Sequence, residues 1–175
     1  KDNSDKKYLA RPPRKHLAML CVAIFTVAEF RQDSPAVLGW LALASSAAVL
    51  NLLNDWHIER VIFRRWVLPL YVVYLCMALG YALLGLGHLL GWSLGIESAA
   101  RHFLFIGAMG VSVFMVFNIA GRTHSGHSLD TRAWVPIGVQ LLLGAVIFRF
   151  LYGYFAAPVY FWLSALLWVV AFSLS

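Results

Sequence analysis

The feature that most constrains this chain is a series of long apolar runs separated by short polar joints. Five runs extend over Pro35 to Leu53, Trp66 to Leu90, Ser98 to Ala120, Ala133 to Phe155 and Ala157 to Leu174. About 18 apolar residues suffice for a helix to cross the hydrocarbon core of a bilayer. A sixth run, Leu17 to Phe30, is shorter and bounded by charge, so that a spanning helix, a core helix and an interfacial helix all stay open, with spanning favoured. The pattern predicts an all-α, polytopic transmembrane helix bundle with about six spanning helices.

Composition places the chain in the same class. Of its 175 residues, 61% are hydrophobic and 13% are charged, whereas a soluble domain has roughly 25% charged residues. We predict a basic cytosolic segment over residues 1–15 and a bundle over residues 16–175. The first apolar run follows a polar head and lacks a small-residue cleavage site. It therefore does not resemble a signal peptide. The last run has no polar flank, so we expect the chain to be part of a larger membrane domain.

The basic residues divide unequally between the two sides that six spans create. Eleven of the 14 Lys and Arg residues lie on the side of the N-terminus, and the others are Arg31, Arg101 and Arg149. Because Lys and Arg accumulate in cytoplasmic loops, we predict that the N-terminus and the loops at 55–65 and 121–132 are cytoplasmic. The basic charge is explained by topology, so nucleic acid is not an expected partner, whereas membrane lipid is.

The two cysteines give mostly negative information. Cys21 and Cys76 each stand alone in an apolar run. The sequence therefore has neither a disulfide framework nor a C-x-x-C-H motif for covalent haem attachment. Both residues are typical of core filling.

The histidines fall near the ends of the apolar runs. His88 and His102 are predicted to lie at the non-cytoplasmic face, where they can meet. The others lie at the cytoplasmic ends: His16, His57, His124 and His127. From His102 to Ala120 a helix extends roughly 27 Å, so His102 and His127 cannot bind one metal ion unless the helix breaks. An interfacial histidine is more often a packing or anchoring residue than a ligand, and the H-x-x-H spacing of His124 and His127 is a weak metal signal.

Arg149 lies six positions before the end of an apolar run. An ionisable group at such a depth indicates a functional site. Three interpretations stay open: an ion pair with Glu29, a clamp on an anionic group such as a haem propionate, or a side chain that reaches the interface.

Two segments resemble one known family. The stretch HFLFIGAMG at 102–110 is followed by RTHSGH at 122–127, and both internal spacings are similar to those of the NnrS family, in which a histidine precedes a G-A-x-G helix that ends in Arg-x-x-x-Gly-His. The resemblance covers roughly residues 36–172 and corresponds to the later half of a protein of about twelve helices. A missing N-terminal half or other membrane helices are therefore expected partners.

The resemblance implies a bacterial inner-membrane protein with haem and copper, acting in nitric-oxide metabolism, nitrosative-stress tolerance and denitrification. His102, Arg122 and His127 match the family motif. Two positions depart from it: Tyr71 lies in the region where the family tends to have a histidine, and Ser128 to Asp130 replace Thr-Gly-Arg. The first departure puts a full set of metal ligands in question, and the second removes a positive charge.

Together these observations predict a haem-binding membrane protein of nitric-oxide handling. The expected haem is non-covalent and of b type, with His102, His88, Arg149 and Arg122 as binding residues. The expected metal ligands are His102, His127 and His124, with copper near the last two and nitric oxide as a possible ligand. No reductase active site is recognisable, so the sequence leaves enzymatic activity open. The alternative is a metal-free transporter or assembly subunit whose histidines are interfacial anchors.

Overall fold

The computed structural model describes residues 12–56, 63–129 and 133–173, and these residues form helices and no strands. The elements are, in order, α1 (Pro12–Phe30), α2 (Pro35–Leu53), a 3₁₀ turn (Asn54–Trp56), α3 (Leu68–Leu90), α4 (Leu94–His102), a π-helical segment (Phe103–Gly110), α5 (Val111–His124), α6 (Trp134–Phe155) and α7 (Pro158–Ser173). Proline occupies the first turn of α2 and α3, where its missing N–H has no helical acceptor to lose.

The predicted all-α membrane bundle is confirmed, but the count of about six spans is too high. Four helices among the described residues are long and apolar enough to cross a membrane: α2, α3, the continuous helix Leu94–His124, and α6. A fifth, α7, is apolar but has only 16 described residues. Helix α1 is not one of these candidate spans, because the charged residues Arg14, Lys15 and Glu29 lie near its two ends. The structure therefore supports four to five spans.

Helix α1 nevertheless runs along its neighbours and is held at both ends by ion pairs. Near its start, Arg14 contacts the Asp55 carboxylate at 2.5 Å. Near its end, Glu29 contacts Arg101 of α4 at 2.6 Å. Between these ends, the rings of Phe25 and Tyr81 meet edge to face, with centroids 5.5 Å apart. The charged residues near the ends of α1 thus lower its apolar character and also attach it to the bundle through ion pairs.

The bundle interior is apolar, with a few hydroxyl groups that link helices. The largest core cluster joins α5, α6 and α7 around the buried side chains of Phe114, Met115 and Leu142. The Ser46 hydroxyl of α2 donates to the carbonyl of Ala78 in α3, and that of Ser164 in α7 donates to Ala145 in α6. Hydrogen bonds from small polar residues are a common means of helix association in membranes. Large apolar side chains such as Phe105 and Trp162 remain exposed, as expected for contact with lipid.

The helix that carries the motif is unbroken from Leu94 to His124, over 31 residues. It changes pitch over Phe103–Gly110, where the hydrogen bonding is that of a π-helix. In a π-helix the hydrogen bonds join residues five apart, so that each turn contains about one residue more than a turn of α-helix. The face on which a following side chain lies is shifted accordingly. α-Helical periodicity would place Ile106 and Met109 on the face of His102, but Met109 is 59% exposed. The π-helical segment thus separates two side chains that α-helical periodicity would align.

Several sequence predictions concern residues outside the described ranges. They include most of the basic segment over residues 1–15, namely residues 1–11, together with His57, Arg60, Arg132 and the end of the last apolar run at Leu174.

Candidate functional site at the α4–α6–α7 junction

His102 is the last residue of α4 and is held at both ring nitrogens. Its Nδ1 lies 2.6 Å from the carbonyl oxygen of Ser98, one turn earlier. Its Nε2 lies 3.1 Å from Nε of Arg149 in α6. Because a carbonyl can only accept and Nε–H of arginine can only donate, this geometry assigns a neutral ring with its proton on Nδ1.

Arg149 packs between aromatic rings as well as donating to His102. The centre of its guanidinium lies 5.3 Å from the ring of Tyr152 and 4.9 Å from that of Phe161. Such cation–π contacts stabilise a charge that is partly removed from water. The alternative of an ion pair with Glu29 is not observed, since Glu29 contacts Arg101 instead.

A groove of about 360 Å³ opens beside this pair. Its wall combines His102, Ile106 and Arg149 with residues of α7, namely Phe161, Ser164, Ala165, Trp168 and Val169. Sequence analysis missed the contribution of α7 entirely. The available signal was the seven-residue spacing of Phe161 and Trp168, which places two aromatic residues on one face of a helix.

Helices α4 and α6 approach closely at a pair of glycines next to the site. A Cβ atom on Gly153 would lie 2.5 Å from the carbonyl oxygen of Gly95 and 2.6 Å from Cβ of Ala99. Only glycine permits this backbone approach, which is a common use of small residues in membrane helices. The crossing brings Arg149, one turn before Gly153, alongside α4.

His88 does not lie on the groove wall. Its Nδ1 is 3.7 Å from a carboxylate oxygen of Glu97 in α4, and the two side chains are only 11% and 18% exposed. No hydrogen bond joins the imidazoles of His88 and His102 in the part of the chain that the structure describes. In the described structure His88 lies beside Glu97 and His102 beside Arg149, and a haem site shared by the two histidines stays a prediction.

The three ionisable residues of α4 each contact a different helix. Glu97 contacts His88 of α3, Arg101 contacts Glu29 of α1, and His102 contacts Arg149 of α6. A short helix with a strongly polar composition is thereby positioned from three sides. This arrangement fixes the backbone that carries His102.

At the opposite end of the long helix, the Arg-x-x-x-Gly-His motif forms a helix cap. The N–H of His127 donates to the carbonyl of Arg122 at 2.9 Å, and the N–H of Gly126 donates to that of Thr123 at 3.2 Å. Gly126 has a φ of +72°, and this combination is a Schellman motif. Nε of Arg122 also donates to the carbonyl of Ser128 at 2.9 Å. Arg122 and Gly126 thus shape the helix end after which His127 stands.

His124 and His127 are both exposed at this cap. The described residues contain no group of three or more His, Cys, Asp or Glu that could hold a metal ion. By the rise per residue, His102 and His124 are separated by roughly 30 Å of continuous helix. The structure thus separates two ends, with His102 and Arg149 together at one and His124 and His127 at the other.

The cap predicts a specific response to substitution. Gly126→Ala should lower the free energy of unfolding by about 1 kcal/mol, because an L-residue is strained at positive φ. Gly121→Ala, five residues earlier and with open space around its Cβ position, is the matched control and should be neutral or slightly stabilising. Thermal unfolding in detergent measures both. Equal effects of the two variants would contradict the capping role.

The described fold and site define a polytopic helical membrane protein with a histidine–arginine pair in one of its helix junctions. Comparison with known families places it more narrowly: the model of the family described as "NnrS protein" matches residues 5–175. The chain therefore belongs to the NnrS family. No curated protein and no solved structure matches it significantly.

Proposed function

We propose that this NnrS-family membrane protein binds haem through His102 and acts in the handling of nitric oxide. The observation that carries the proposal is the fixed ring of His102. Its Nδ1–H donates to the carbonyl of Ser98, which is the arrangement that orients a metal-binding imidazole and raises the basicity of Nε2. The resemblance of HFLFIGAMG and RTHSGH to the family motif supplies the link to nitric oxide.

The residues around His102 fit a histidine-ligated haem in three respects. The ring is neutral, the groove is lined by Ile106, Phe161 and Trp168, and an arginine stands at its edge for an anionic group. One feature must change: Nε2, the nitrogen that would bind iron, accepts a hydrogen bond from Arg149. Haem binding thus requires Arg149 to release His102, and the open groove covers one part of a porphyrin only.

When bound, haem iron can bind diatomic gases or transfer electrons, and its axial ligand and pocket polarity favour one or the other. This chain's residues would perform simpler tasks. Ser98 fixes the orientation of His102, and Phe161 and Trp168 exclude water from the groove. Arg149 holds positive charge beside the ring. The neighbouring His88–Glu97 pair links α4 to α3, and binding of haem by His88 itself stays a prediction.

For the opposite end of the helix, we propose copper binding by His124 and His127. Imidazole nitrogen is a suitable ligand for copper, and both side chains are exposed. Water or another chain would have to complete the ligand set, because the described residues offer no third ligand there. Arg122 serves this end by capping the helix.

In the proposed orientation in the bacterial inner membrane, the cap at 122–128 is cytoplasmic. The N-terminus shares that side because α1, although it is not one of the four long apolar helices, runs alongside α2 and α3 between its two ion pairs and is proposed to cross with them. In a Cys21→Ser, Cys76→Ala background, Ser128→Cys should resist a membrane-impermeant thiol reagent in intact cells, and Ser93→Cys should react. Both serines are exposed. Labelling of Ser128→Cys from outside would reverse the orientation.

The experiment for the haem proposal is an absorption spectrum of the protein purified from membranes of a haem-sufficient host. We expect a Soret band that shifts when nitric oxide is added to the reduced protein. A folded protein without tetrapyrrole absorbance would favour the alternative, a metal-free transporter or assembly subunit.

A further inference from the structure

Arg149 has a charge that the described residues do not balance. It lies inside α6, one of the four candidate spans. Its polar contact is the neutral ring of His102, and no carboxylate among residues 12–56, 63–129 and 133–173 forms an ion pair with it. A cation at such a depth normally pairs with an anion or another strong acceptor. Arg101, on α4, has such a partner in Glu29. The lack of a carboxylate partner among the described residues thus distinguishes Arg149 from Arg101.

The hydrogen-bond capacity of Arg149 indicates where an anion would bind. A guanidinium has five N–H groups and no acceptor. Nε–H donates to His102, and the rings of Tyr152 and Phe161 pack near the guanidinium. The terminal N–H groups have no hydrogen-bond partner among the described residues. Paired terminal N–H groups match the geometry of a carboxylate.

A small cavity lies against the same arginine. It has a volume of about 170 Å³ and lies between α4 and α6. Its wall consists of Arg149 and mostly small residues, namely Gly95, Ser98, Ala99, Tyr152, Gly153 and Ala156. Since a water molecule occupies roughly 30 Å³ in the liquid, the cavity has room for a small carboxylate.

We propose that the terminal N–H groups of Arg149 bind one planar oxyanion of the carboxylate class in the cavity between α4 and α6. The anion balances the charge of Arg149 and joins α4 to α6 beside His102. Two sources share this chemistry: a small free carboxylate, or a carboxylate side chain of haem. The second source rests on the proposed function, whereas the first does not.

The free source is tested on the haem-free full chain in detergent, by thermal unfolding with sodium acetate or with sodium chloride at equal ionic strength. A saturable rise in the unfolding temperature with acetate is expected, because a ligand of the folded state stabilises it by mass action. Arg149→Gln should lose the rise. Arg149→Lys, which keeps the charge without the paired N–H groups, should retain a fraction at most. Arg31→Gln, which removes an exposed cation outside the cavity, should retain all of it.

The haem source is tested by comparing haem with its dimethyl ester, in which both carboxylates are blocked. Wild-type protein should bind the ester about tenfold more weakly or worse, since charge-assisted hydrogen bonds are lost. Arg149→Gln should bind the two forms equally.

Either an Arg149-dependent acetate effect or an Arg149-dependent ester effect supports the oxyanion site and identifies its source. Absence of both effects in folded wild-type protein overturns the oxyanion site. If haem does not bind at all, the acetate experiment alone decides. Failure to bind haem with an intact acetate effect would instead remove the proposed function and leave the oxyanion site.

Discussion

Replacing His102 with alanine is expected to remove the haem absorbance and to leave any bound copper in place. The side chain supplies the only imidazole among the residues that line the described groove, so alanine would leave haem iron without its proposed protein ligand. Its removal also frees Arg149, whose Nε–H then loses its acceptor. Haem content per chain, measured on protein that still inserts and elutes as wild type, should fall at least tenfold.

His127→Ala is the matched test at the other end of the helix. It should leave the haem absorbance unchanged and reduce copper alone, because roughly 30 Å of continuous helix separates the two ends. Effects at such distant sites should add in the double variant. Loss of the same haem signal in both single variants would contradict the two-end account, since the described helix does not break between Leu94 and His124.

Gly153→Val is expected to abolish haem and acetate binding together. The added side chain would meet the Gly95 backbone, with Cβ only 2.5 Å from its carbonyl oxygen. Backbone cannot yield as a flexible side chain can, so α4 and α6 must separate. Overpacking of this kind costs about 1–3 kcal/mol or more, and here the separation also moves His102, on α4, away from the groove residues of α6 and α7.

Gly144→Ala provides the control on the same helix. Its Cβ would contact only the end of the flexible Leu167 side chain, at 3.1 Å. Haem content and acetate stabilisation should stay near wild type in this variant, as measured by absorbance and thermal unfolding. If Gly153→Val behaved as Gly144→Ala does, the glycine crossing would not be what holds the site together.

The apolar runs predicted the membrane class and most helix bounds, because length and hydropathy alone decide which helices can cross a bilayer. The run Pro35 to Leu53 matches α2 residue for residue. The extent of the motif helix was underestimated, since polar residues such as Glu97 and His124 lie within it. Those residues can be helical because partner helices and a helix cap satisfy their polar groups. The pattern of a single segment contains no information about such partners.

The candidate site was only half predictable. His102 and Arg149 both stand out in the sequence because ionisable groups are rare in apolar helices. Their contact depends on the crossing of α4 with α6, and a separation of 47 positions along the chain carries no local signal. The contribution of Phe161 and Trp168 to the groove was not predicted, for the same reason. The pairing of His88 with Glu97 required knowledge of how α3 and α4 turn at Gly91.

The most direct test of haem binding by His102 is chemical rescue of His102→Gly. Removal of the side chain would leave space for imidazole in the groove, while Ser98 and Arg149 remain. We predict that the variant purifies without a Soret band and that added imidazole, with haem, restores a spectrum close to that of the wild type. A His102→Gly protein that retains the wild-type haem spectrum in the absence of imidazole would contradict the account.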